Sequence, residues 1–230
     1  MLIWIFQTAE PLHSDEKKER PMRAINLTSE LIKRGHKVVI WSSAFYHQEK
    51  RHRSKVFQSI EFNPNITINL IPSLGYKSNL GIKRLLDHAI LAINLFKELN
   101  NFKGLLPDVA FVGYPPIEFS YAAAIWLKKN KIPYVLDVKD QWPHIFLTRL
   151  PNIIRPFFKL IFFPYFFIAK KVFSKATSIS SISEPFLKWS LKLSERKKNY
   201  NDFIFYLSPP RIQYNTNLIN SYYEKKFKKL

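Results

Sequence analysis

Apolar residues recur along the chain in two alternating rhythms. Leu2 to Thr8 is a short β-prone run. Ala24, Leu27, Leu31 and Ile32 then fall at helical spacing between Pro21, suited to a first turn, and Gly35, suited to a stop. Val38 to Trp41 is again continuously apolar, so the opening predicts a βαβ unit. Ala44 to Ser59 is polar and basic and reads as an exposed loop or frayed helix. Ile66 to Ile71 alternates as a strand does, and Leu80 to Leu99 repeats apolar residues at helical intervals. The rhythm continues with a buried-type strand at Val109 to Val112, a helix from Ile117 to Lys129 behind Pro116, and strands at Pro133 to Val138 and Thr177 to Ile182. Strands alternating with helices build a parallel sheet covered on both faces, which predicts a doubly wound, Rossmann-like α/β fold.

Composition narrows the chemistry. The 230 residues contain no Cys, which removes disulfides, thiolate metal sites and thiol nucleophiles. There are five Gly against 15 Pro, and neither G-x-G-x-x-G nor G-x-x-x-x-G-K-[ST] occurs. Nothing in the pattern therefore supports a dinucleotide or P-loop site. The net charge is +19 while 47% of residues are hydrophobic, so a folded domain that meets something anionic is expected, and not a disordered basic tail. Met1 to Gln7 lacks a basic leader and a small-residue cleavage site, so no export signal is expected.

Function in a doubly wound sheet collects where strands end, after Thr8, Ser42, Gly113 and Val138. The segment Asp137-Val-Lys-Asp140-Gln-Trp142-Pro-His144 puts two carboxylates three apart at such an end, with an aromatic following. A carboxylate there accepts a sugar hydroxyl or acts as a base, and Trp142 offers a face to a pyranose ring. Asp140 has a second reading, as the cap of a helix beginning near Trp142.

Taken together, Glu10-Pro11-Leu12, Asp15, Arg20-Pro21-Met22-Arg23, Arg34-Gly35-His36, Trp41-Ser42-Ser43, Phe45, His47, Lys50, the Asp137 to Pro143 segment and Ser183-Glu-Pro-Phe-Leu187-Lys-Trp189 resemble the amino-terminal half of the family 4 glycosyltransferases. The likeness is to the branch that builds lipid-linked sugars for surface polysaccharides, and it covers about residues 1–207, leaving 208–230 as a basic tail or the start of a linker. It implies the acceptor-side half of a GT-B fold and metal-independent, retaining transfer from a nucleotide-sugar co-substrate, with no other cofactor and no metal. Carried over by position, Asp140 and Asp137 are the catalytic candidates, and Glu10, Asp15, Arg20, Arg23, His47, Lys50, Trp142 and His144 the acceptor-binding ones. Arg20 and Arg23 have an equal reading as first-turn helix surface, and for His47 ordinary surface is the favoured reading. Two departures stand out. Ala9 and then Glu16-Lys-Lys-Glu19 occupy a loop where relatives carry glycines, and the chain ends at Leu230, before the acidic signature of a donor lobe. A donor-binding lobe or chain supplied separately is therefore an expected partner, and the chain alone is expected to be inactive.

The stretch from Ile153 to Phe173 adds a second theme. Phe157, Phe158, Phe162, Phe163, Phe166 and Phe167 lie beside Lys170 and Lys171, and residues 151–230 hold 15 Lys and Arg against four Asp and Glu. Aromatics with flanking cations suit a membrane interface, while Lys159 and Pro164 and the shortness of the run argue against a span. A cytoplasmic chain on the inner face of the cell membrane, meeting anionic lipid and a lipid-linked glycan acceptor, is the expectation. A proline-kinked core helix, or a face covered by another lobe, is the competing reading. A catalytically dead acceptor-binding scaffold is the alternative function. An RNA-binding module is a further one, but no nucleic-acid-binding signature supports it.

Overall fold

The computed structural model describes residues 1–15, 20–79 and 81–206; the 208–230 segment and Glu16 to Glu19 lie outside the described residues. β1 (Leu2–Phe6), α1 (Arg23–Lys33) and β2 (Lys37–Ser43) form the expected opening unit. The chain then makes a two-stranded hairpin, β3 (Phe45–Tyr46) with β4 (Arg51–His52), followed by β5 (Gln58–Asn63) and β6 (Ile66–Ile71). α2 (Ile82–Asn101), β7 (Val109–Tyr114), α3 (Ile117–Lys129) and β8 (Tyr134–Val138) continue the alternation. Three helices follow, α4 (His144–Arg149), α5 (Arg155–Ile161) and α6 (Phe163–Lys175), then β9 (Ser178–Ser181), α7 (Glu184–Ser194) and β10 (Phe203–Ile204).

The eight-stranded sheet has the order β10-β9-β8-β7-β1-β2-β6-β5. Neighbours are parallel except at the edge, where β5 runs antiparallel to β6. The chain winds outward from β1 in one direction and from β7 in the other, so the switch point lies between these two strands. Adjacent residues of β1 serve opposite faces, as the pleat requires. Trp4 and Phe6 enter the larger core with Leu91, Leu95 and Leu99 of α2 and Trp126 of α3, where Trp4 stacks on Trp126 at 5.4 Å. Ile5 joins the second core with Val38, Ile40 and Ala24, against which Leu27, Leu31 and Ile32 of α1 pack. Both faces are thus covered, as the continuous apolar strands predict.

Two expectations are corrected. The segment after Ala44 is not solvated throughout: Ala44, Phe45 and Tyr46 are buried, and the Arg53 guanidinium lies 4.3 Å from the centre of the Tyr46 ring while pairing with Asp15. The aromatic stretch is not one kinked helix. α5 ends at Ile161, Phe162 is the cap residue shared by both helices, and Pro164 lies in the first turn of α6, where its missing N–H is no loss. No helix among the described residues is long and apolar enough to cross a membrane.

Candidate functional site

The loop leaving β1 is the centre of the rim at the switch point. Its Gln7 side chain lies across β7 so closely that a Cβ on Gly113 would meet Gln7 Oε1 at 1.9 Å, which is why a glycine stands there. Ala9 takes a φ of 58°, the left-handed conformation that glycine adopts at less cost, and its carbonyl accepts a hydrogen bond from Gln48 Nε2 at 2.5 Å. Thr8 and Ala9 line a small cavity on one side of this loop, and Glu10 and Pro11 line a wide groove on the other.

The wide groove has a volume of about 710 Å³, and Arg20, Met22, Arg23, Lys139 and Phe205 contribute to its walls. Its charged residues are engaged with one another. Glu10, 3% exposed, accepts the Ala24 N–H at 2.9 Å and the Lys139 ammonium at 2.5 Å. A carboxylate from a distant loop thereby caps α1, whose own cap position, Met22, has no side-chain oxygen. Arg23 grips Asp137 through Nε at 2.8 Å and Nη2 at 2.5 Å, and donates Nη1 to the Phe205 carbonyl at 2.8 Å. Asp137 is fully buried, and its Oδ1 also accepts the Ser180 hydroxyl at 2.7 Å, so it ties β8 to α1 and β9. Asp15 does not reach the groove: Arg53 holds it bidentately, both contacts at 2.6 Å, while its Oδ2 accepts the Leu12 N–H.

Asp140, three residues beyond Asp137, is in a different state. It is half-buried and accepts the N–H of Gln141 at 2.6 Å. It does not cap α4, whose cap residue is Pro143 and which has no side-chain cap. Its charge is felt at the Tyr114 hydroxyl, which burial pushes well above its ordinary pKa, with Asp140 and Glu118 adding to the effect.

The small cavity, about 80 Å³, is lined by Thr8, His47, Tyr76, Arg84, Asp87 and His88 among others. His47 Nδ1 lies 2.6 Å from the Tyr76 hydroxyl and 3.1 Å from Lys50 Nζ. Lys50 and Arg84 stand 4.7 and 5.7 Å from the Tyr76 ring centre. Burial, with Lys50 and Arg84, holds His47 below its usual pKa, and burial and Arg84 lower that of Lys50. His88 is driven down to about 3 by burial, Arg84 and His47. Its Nδ1 lies 3.8 Å from Glu118, a carboxyl that burial raises.

Trp142 and His144 belong to neither volume. Trp142 stacks on Tyr165 at 5.6 Å and helps wall a third groove, of about 280 Å³, between α2 and α5. His144 sits edge-on between Phe166 and Trp189, and burial, followed by Lys159, lowers its pKa. The aromatic run divides. Phe158, Phe162 and Phe166 turn inward onto Trp142, Phe146 and His144, while Phe157, Phe163 and Phe167 face outward with Leu160 and Ile161. Lys170 is exposed, and Lys171 Nζ lies over the Phe167 ring at 4.4 Å.

Arg84, His88, Tyr76 and Glu118 are site residues that sequence reasoning missed. A signal existed: Arg84, Asp87 and His88 extend toward the amino terminus the same face of α2 that carries Leu91, Leu95 and Leu99, so polar groups occupy a stripe otherwise meant for the core. Among the described residues no group of three or more His, Asp or Glu side chains is placed to hold a metal ion.

No protein-family model matches the chain, and neither does any curated protein. Among solved structures, the chain is similar to the Arabidopsis thaliana UDP-glycosyltransferase UGT89C1 complexed with UDP, with a TM-score of 0.50 and 10% sequence identity over 97% of this chain. The chain spans 56% of that structure's length, and the shared architecture is that of one Rossmann-like half of a GT-B fold.

Proposed function

We propose that this chain, through residues 1–207, is the acceptor-side lobe of a metal-independent, retaining glycosyltransferase of family 4, acting in the assembly of surface polysaccharide. The nucleotide-sugar is gripped by a second lobe, and the acceptor is a glycan borne on lipid at the inner face of the cell membrane. The observation that carries this reading is the position of the two hollows flanking the β1 loop, at the carboxyl ends of β1 and β7, where doubly wound sheets hold ligands. The likeness of fold to a UDP-glycosyltransferase supports the reaction class.

Within this reading Asp140 is the carboxylate beside the reacting hydroxyl, since it is half-open while Asp137 has both oxygens taken. Asp137 is a positioning residue that holds β8, and with it the Asp140 loop, against α1. The outward face of α5 and α6 supplies membrane contact: Phe157, Leu160, Ile161, Phe163 and Phe167 are exposed beside Lys159 and Lys170. Each cation near an anionic leaflet adds roughly 1 kcal/mol to the apolar insertion.

The test uses the full chain. It should float with vesicles of phosphatidylcholine and phosphatidylglycerol but not of phosphatidylcholine alone, and Phe163→Glu should abolish flotation. Added to membranes of its source cells with radiolabelled UDP-, GDP- or dTDP-sugars, it should increase label in the extractable lipid fraction. Failure to float, or no added label from any donor, overturns the proposal.

A further inference from the structure

The amino-terminal turn of α2 separates two hollows. Arg84 and His88 line both the small polar cavity beside the β1 loop and the 280 Å³ groove, whose remaining walls are largely Leu85, Trp142, Phe146, Phe158 and Phe162. One end is polar and cationic, the other aromatic, and the same two side chains stand at the join.

At the polar end two cations, Lys50 and Arg84, face one close carboxylate, Asp87. Lys50 and Arg84 share the Tyr76 ring with His47 alongside. Asp87 accepts the Gly75 N–H at 2.6 Å, and burial favours the neutral form of Glu118. Lys50 donates to Asn79 Oδ1 at 2.5 Å and Arg84 Nη1 to the Asn79 carbonyl at 2.8 Å, both neutral acceptors. Two buried polar atoms are left over: Arg84 Nε and Thr8 Oγ1 have no hydrogen-bond partner, and Thr8 is 4% exposed on the cavity wall. Unpaired polar atoms on a cavity wall are free to hydrogen-bond a ligand's oxygens. α2 itself begins here with no side-chain cap and no acid in its first turn, leaving its positive end uncompensated.

We infer that these two hollows form one bipartite site for an amphiphile carrying a phosphate group on a single apolar chain, the phosphate held by Arg84, Lys50 and Thr8 and the chain laid against Trp142, Phe158 and Phe162. Arg84 forks toward phosphate oxygens, Lys50 adds a point charge, and the Thr8 hydroxyl donates. The aromatic groove excludes a purely ionic ligand as the full occupant, since it would leave those rings in water. The inference rests on the reading of the acceptor as lipid-borne and specifies where its phosphate and first carbons lie.

Isothermal titration with dodecyl phosphate below its micelle concentration, inorganic phosphate and neutral dodecyl maltoside tests it. Dodecyl phosphate should bind at least about tenfold more tightly than either comparator. Arg84→Gln and Lys50→Gln should each weaken it about tenfold, the loss expected for one charge-assisted hydrogen bond. Phe158→Ser should weaken dodecyl phosphate while leaving inorganic phosphate unchanged. Equal affinity for dodecyl phosphate and phosphate, equal affinity for the neutral amphiphile, or undiminished binding by a Lys50→Gln protein of unchanged melting temperature overturns the inference. No bilayer is present in this titration. A chain that binds dodecyl phosphate as described but does not float loses the membrane reading alone, and one that floats without this binding loses the bipartite site alone.

Discussion

The two sides of the β1 loop use charge in opposite ways. On the wide-groove side every acid has met a base: Glu10 holds Lys139, Asp137 holds Arg23, and nearby Asp15 holds Arg53. On the cavity side Lys50, Arg84, His47 and His88 crowd together, and burial, with Arg84 beside them, lowers the pKa of Lys50, His47 and His88. The first arrangement closes the rim into a fixed shape. The second sets two cations, Lys50 and Arg84, against one carboxylate, Asp87, and so favours an anion. The comparison teaches that in so basic a chain the location of the few carboxylates, not the abundance of cations, separates framework from site.

The sharpest way to break the comparison is to remove an acid from the closed side. Asp137→Ala leaves the Arg23 guanidinium, only 16% exposed, without its partner and removes the acceptor of Ser180. Stripping one member from a buried pair costs about 3–5 kcal/mol, so urea unfolding should show a loss of that size, with a smaller one for Asp137→Asn. A change below about 1 kcal/mol accompanied by loss of sugar transfer would instead make Asp137 a group that acts on substrate.

The crowded side should be sharpened by pH. His88 is held near 3 by burial and its cationic neighbours, against about 6.5 when exposed, so across that window the unfolded chain takes up a proton that the folded chain refuses. The stabilisation is complete above about 6.5 and is lost as pH falls toward 3. His13, His47 and His144, also lowered first by burial, act in the same direction. Glu118, raised by burial, acts in the opposite one: its contribution is present at low pH and is lost as pH rises through its folded value. Because one pKa unit corresponds to 1.36 kcal/mol, His88 alone should cost about 2 kcal/mol between pH 6.5 and 5. Urea midpoints measured over this range should fall on acidification, and His88→Gln should flatten the slope.

Most of the scaffold was legible because long strands and amphipathic helices carry a period. β1, β2, β6, β7, β8 and β9 stand where apolar runs placed them, and α1, α2 and α3 within a few residues of theirs. β5 was hidden because an edge strand exposed along most of Gln58–Asn63 offers only Ile60 and Phe62, too short an alternation to announce it. The β3–β4 hairpin was hidden because two-residue strands are too short for any period, although Phe45 and Tyr46 are core residues. The site was less legible than the fold. Which acid meets which base depends on contacts across 114 residues for Arg23 and Asp137 and 129 for Glu10 and Lys139, distances at which spacing in sequence says nothing. Asp137 and Asp140 looked alike as letters and differ only in what the folded sheet places against them.

That pair also gives the comparison its finest test, where the expected effect on stability is smallest. Asp140 accepts the N–H of the residue next to it, an interaction that an amide oxygen reproduces. Asp140→Asn should therefore change unfolding free energy by no more than about 0.5 kcal/mol, the range of a substitution away from packed or paired groups. An amide cannot take a proton or stabilise positive charge on a reacting sugar, so the same variant should lose most of the lipid-linked label in the membrane assay. Two carboxylates three residues apart would then separate cleanly, one costing stability when removed and the other costing turnover. Retention of full labelling by Asp140→Asn would place the chemistry elsewhere on the rim and leave Asp140 as ordinary loop structure.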